Sequence, residues 1–148
     1  MGHRIARLYD EADAMGVTVR ECDIAHTDYC GLYDDAHRLV ILDQALNDRQ
    51  RLCVLQHELV HAEYHDRMCG YHSDAKWERR TRRETADRLI SLTDYRMAES
   101  VYDSDPAAMA QELGVVRAVL EDYQEMLDEL HSIQPYRHDW SEDMLVGA

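Results

Sequence analysis

The chain predicts an α+β domain that is mostly helical, with one small antiparallel sheet and a histidine-bearing helix at its centre. Three observations predict it: a single amphipathic stripe in the first fifteen residues, a short run of β-prone segments between 17 and 43, and an unbroken helical stretch from 47 to 67. The length of 148 residues, 45% of them hydrophobic, suits one domain with one sizeable core. We place the domain at 1–133 and a loosely ordered tail at 134–148, where Pro135 and the loss of period end the helical pattern.

Each element has a local cause. Ile5, Leu8, Ala12 and Met15 recur at helical spacing and Gly16 offers a stop, which gives a helix over 3–15. "VTVREC", "YCGLYD" and "HRLVILD" are β-prone, and the turn-forming "DDA" between the last two makes a hairpin at 29–43 the firmest part of the sheet. Asn47 and Gln50 form a capping-box pair, and no Gly or Pro follows until after Arg67. On that helix Leu52, Leu55, Leu59 and Ala62 share one face, while Cys53, His57, His61 and His65 share another. A second long helix over 77–92 follows through Ala86, Leu89 and Ile90, and Thr93 is placed to cap a further helix to about Tyr102. Asp105, Pro106 and Gly114 punctuate a helix pair over 105–131 that reads as a helix-turn-helix.

Charge and cysteine usage narrow the function classes. The net charge is −14, and the helix pair alone carries seven acidic residues against Arg117, so direct binding to nucleic acid is not expected. The arginines at 79, 80, 82 and 83 read as a solvated helix face. No apolar run approaches the roughly 18 residues of a membrane span, and the N-terminus lacks a signal-peptide core, so a cytoplasmic protein with no membrane association is expected. Cys22, Cys30, Cys53 and Cys69 contain no CxxC pair and read as free thiols.

The chemistry lies in "QHELVHAEYH" at 56–65. On a helix, His57 and His61 stand one turn apart and aim both imidazoles at one point, the clamp that Zn2+ accepts, while Glu58 sits beside that point as a general base. HExxH at this composition arises by chance in roughly one such sequence in twenty-five, so a third ligand is needed to carry the reading. Eight residues of helix rise about 12 Å, so on a continuous helix His65 cannot share an ion with His57. Glu84, on the following helix, is preferred to Glu78, Asp74 and His72, with Asp87 as an acceptor that orients a ligand histidine. His72, Tyr71 and Tyr95 are the nearest candidates to stabilise an oxyanion. The sheet edge near "RLVILD" offers backbone groups to an extended peptide.

"LQHELVHAEYH", then "RRETADRLISLTDYRMAES" and "DPAAMAQELGVVRAVL", resemble the ImmA/IrrE metallopeptidases over roughly residues 29–131. The resemblance implies His57, His61 and Glu84 as zinc ligands, with "ETAD" as a compact form of that family's ExxAD-like segment, and Glu58 as base. It also implies a helix-turn-helix repressor as substrate and the release of prophage or mobile-element genes. Glu63 and Tyr64 depart from the family pattern, which favours small or apolar residues there. The alternatives are a metal-binding regulatory partner that acts on the repressor without cleavage, and a helix-turn-helix DNA-binding regulator.

Overall fold

The computed structural model describes residues 2–67 and 75–132. Among these the elements are α1 (Gly2–Ala14), β1 (Thr18–Cys22), β2 (Gly31–Asp34), β3 (Leu39–Asp43), α2 (Asp48–Glu63), α3 (Ala75–Leu89), α4 (Leu92–Val101), α5 (Pro106–Leu113) and α6 (Arg117–Ser132). The expected tail, like His72, Tyr71, Asp74 and Cys69, lies outside the described residues.

The sheet is mixed rather than wholly antiparallel. β2 and β3 form the expected antiparallel hairpin, but β1 runs parallel to β3, in the order β1-β3-β2. The reason is connectivity: a turn at 35–38 joins β2 to β3, whereas the long excursion from β1 lets the chain return on the far side of β3. "RLVILD" is therefore the central strand, with both edges occupied, and β2 is an edge.

α2 is central because it is apolar on both sides. Leu52, Leu55, Leu59 and Ala62 pack with Leu8 and Ala12 of α1 and Val40 and Leu42 of β3, and Cys53 joins a second core with Ala86, Tyr95, Met109 and Leu120. Three fully buried leucines on one helix contribute about 1.5–3 kcal/mol each from apolar burial. The helix starts where its cap predicts, with the Asn47 side chain accepting from Gln50 N–H and the Gln50 side chain accepting from Asn47 N–H. It ends at Glu63, four residues short of the expected boundary, because Tyr64 closes the last turn and His65 takes a left-handed φ of 53°.

The helices beyond follow their local signals with one correction. Ser91, not Thr93, caps α4, its side chain accepting from Asp94 N–H at 3.1 Å. Asp105 caps α5, Pro106 occupies its first position, and Gly114 at φ 68° turns the chain into α6. No described helix is long and apolar enough to cross a membrane.

Candidate metal centre

His57 and His61 project from the last two turns of α2 on one side, and the first turn of α3 brings Glu78 to them. His61 Nε2 lies 2.9 Å from one Glu78 oxygen and 3.2 Å from His57 Nε2, which lies 3.4 Å from the other Glu78 oxygen. Donors held about 2.0–2.2 Å from a tetrahedral ion are themselves about 3.4 Å apart, so the spacing of the three side chains fits a small divalent cation. Among the described residues they form the one group of His, Cys, Asp or Glu side chains able to hold a metal.

The electrostatics agree. Burial pushes the His61 imidazole down, but Glu78 and Asp66 outweigh it and hold the group above its ordinary value. Hydrogen bonds from His57 and His61 pull the Glu78 carboxyl well below the usual carboxylate range, against the opposing effect of burial. An imidazole nitrogen 2.9 Å from a carboxylate oxygen calls for positive charge between them, supplied by a proton or by a metal ion.

His61 is oriented from behind by Asp66. The Asp66 carboxylate can only accept, so the 2.8 Å contact makes His61 Nδ1 the donor and leaves Nε2 to face Glu78. Asp66 is buried, and its own N–H donates to the His61 carbonyl, so the turn that ends α2 serves the ligand it follows. Thr81 Oγ1 is 3.4 Å from the same Nδ1. One side of the cluster is sealed and the other open: His61 and Asp66 are 0% and 4% exposed at the side chain, whereas His57 and Glu78 are 23% and 28% exposed. Glu58, next along the helix, is buried, and its charge is one of those acting on His61.

The structure places several of the residues singled out in the sequence away from the two histidines. Glu84 is not brought to the histidines: its carboxylate accepts from the Tyr64 hydroxyl and from Arg88. Six residues of helix turn through about 600°, which sets Glu84 about 120° around α3 from Glu78. Glu78 instead continues the stripe of Thr81, Thr85 and Leu89, the face turned to the protein interior. That stripe was the available signal, obscured because threonines do not advertise a buried face. Asp87 is exposed, and the orienting carboxylate is Asp66, which sequence reasoning missed because it lies beyond the helix end. Tyr95 is buried in the second core against Tyr123, its hydroxyl accepting from Gln124 Nε2 at 3.3 Å. His65 turns away, its Nδ1 3.0 Å from Asp35. The arginines of α3 are not a merely solvated face: Arg79 and Arg83 pair with Glu129 of α6, and Arg80 pairs with Asp66.

No curated protein and no solved structure matches the chain. A family profile, that of the IrrE N-terminal-like domain of the Peptidase_M78 family, matches residues 12–122, a span that runs from the end of α1 into α6 and contains the whole histidine and glutamate cluster. With three quarters of its length so matched, and with HExxH on a buried helix facing a carboxylate from the next, the chain belongs to this metallopeptidase family.

Proposed function

We propose that the chain is a zinc-dependent endopeptidase of the bacterial or phage-infected cytoplasm. Its target, on this reading, is a helix-turn-helix transcriptional repressor whose cleavage or inactivation relieves repression of prophage or mobile-element genes. The convergence of His57, His61 and Glu78 beside Glu58 carries the enzymatic part. Two imidazoles and a carboxylate are the donor set of catalytic zinc, and the open side at His57 and Glu78 leaves room for a substrate. Bound there, zinc supplies Lewis acidity, polarising a carbonyl and lowering the pKa of water. Glu58 accepts the proton of the attacking water and returns it to the departing amine nitrogen. Asp66 keeps His61 in the tautomer that presents Nε2.

The edge strand β2 supports a peptide substrate. A Cβ on Gly31 would meet Val54 Cγ1 at 2.5 Å, and Asp35 just past the strand meets His65, so β2 runs alongside α2 past Glu58 and His61. Asp43 N–H donates to the Cys30 carbonyl, and the antiparallel alternation then turns the peptide groups of Gly31 and Tyr33 away from β3. Those groups are placed to hydrogen-bond an extended segment.

The repressor rests on the family resemblance, with a modest contribution from charge: a DNA-binding protein is basic and this chain carries −14. Incubation with the repressor encoded beside it, followed by intact-mass measurement, should show one or a few cuts that a chelator stops and Glu58→Gln abolishes. A repressor left whole but relieved of DNA binding by both parent and Glu58→Gln would replace the peptidase with the non-cleaving partner. Tight, salt-sensitive binding of the chain itself to duplex DNA would favour the regulator reading.

A further inference from the structure

Glu78 stands in the first turn of α3, where a helix has the fewest backbone hydrogen bonds of its own to hold a side chain in place. Its position must come from tertiary contacts, and the structure supplies them on two flanks. On one, Arg79 and Arg83 reach Glu129 of α6. On the other, Arg80 reaches back to the turn that ends α2: its guanidinium lies 3.8 Å over the Tyr64 ring and hydrogen-bonds Asp66 Oδ2, the same oxygen that accepts from His61 Nδ1. Tyr64 is itself held, its hydroxyl donating to Glu84 one turn further along α3. Arg80 thus touches the acceptor that orients one imidazole and sits two residues from the carboxylate that faces it.

We propose that Arg80 is a positioning residue for the metal centre, acting through Asp66 to fix the direction of His61 and, by stacking on Tyr64, to set the first turn of α3 so that Glu78 meets both histidines. The inference rests on the metal-binding reading above. Arginine suits the role because its planar group can stack and donate at once, which an ammonium cannot. Groups that hold a metal-ligating histidine in place are worth about 10–100-fold in metal affinity.

The test is a double-substitution cycle read as zinc affinity, by competition with a chromophoric chelator, together with the visible spectrum of the Co2+-loaded protein. Arg80→Gln should weaken zinc binding by about 10–100-fold and alter the Co2+ bands. Asp66→Asn should do the same, and Arg80→Gln should cost distinctly less in the Asp66→Asn background than in the parent, since part of its action runs through Asp66 and only the stacking on Tyr64 is left to lose. Arg80→Lys, which keeps a cation near Asp66 but loses the stack, should fall between parent and Gln, and it replaces Gln in the cycle if that variant does not fold. Unchanged affinity in the Arg80 variants, or losses that simply add to those of Asp66→Asn, overturns the proposal. A parent protein that binds no zinc removes the metal reading itself, a different failure from that of Arg80.

Discussion

The two sides of the α2–α3 contact are built from similar residue types and do different things. On the inner side, Glu78 meets His57 and His61, with His61 fully buried and Asp66 behind it. On the outer side, Glu84 meets Tyr64 and Arg88, and Arg88 meets Glu63 at 2.6 Å, all at least 30% exposed. Both glutamates are ionisable groups of one helix, similarly accessible at 28% and 30%. What separates them is the partner set: neutral-capable imidazoles that can share a cation on one side, an arginine and a phenol hydroxyl that satisfy the carboxylate on the other. A carboxylate already paired with arginine has little to offer a metal, so a ligand is recognised by the donors that converge with it rather than by its distance along the chain.

The strongest way to break this comparison is to remove each glutamate in turn. Glu78→Ala should lower zinc affinity by orders of magnitude and abolish the thermal stabilisation that zinc confers, because anything bound to the native state alone raises the melting temperature. Glu84→Ala should leave affinity within a few-fold of the parent. The reverse ranking, measured by chelator competition, would restore the assignment read from "ETAD" and make the inner cluster an incidental ion pair.

The outer side should yield a far smaller effect. A double-mutant cycle on Glu63 and Arg88 is expected to give a coupling of about 0.2–1 kcal/mol in thermal or denaturant unfolding, the range of solvent-exposed pairs, and to shrink in salt. Burial alone would lower the pKa of Arg88, but Glu63 and Glu84 reverse it and raise it. A coupling of several kcal/mol would show that the outer pairs are structural in the way the inner cluster is.

The contrast also explains what the sequence discloses. α1, the hairpin, the Asn47 capping box and the Asp105-Pro106-Gly114 punctuation are legible because each is decided within a turn or two of chain. So is the pair His57 and His61, fixed by a single helical turn. The parallel pairing of β1 is not, since it depends on which side of β3 the chain leaves open. Neither is the choice of Glu78 over Glu84, which depends on how α3 is rolled against α2. Thr81, Thr85 and Ala86 settle that roll by burying their face, and no local rule marks a Thr-rich stripe as interior. Asp66 escapes for a related reason: it becomes the partner of His61 only because Tyr64 and His65 end the helix and fold the chain back.

The smallest predicted effect concerns the flank on which Glu129 of α6 holds the first turns of α3. The hydrogen bond from Arg83, opposed by desolvation and joined by the hydrogen bond from Arg79, lowers the Glu129 carboxyl below its ordinary 4.5. A carboxyl whose folded pKa is depressed contributes stability that is present above its unfolded value and lost as pH falls through the folded one. Glu129→Gln should therefore melt slightly below the parent at pH 7, and the gap should begin to close as pH falls through about 4.5, where the unfolded chain's carboxyl takes up its proton, and vanish once pH lies below the depressed folded value. Raising ionic strength at pH 7 should narrow the same gap, because these side chains are open to solvent. A melting difference that survives both acid and salt would mean that Glu129 acts by packing rather than charge. The arginines of α3 would then hold the helix in place through their aliphatic stems, which would sharpen the contrast with Arg80, whose proposed role requires its charge and its plane.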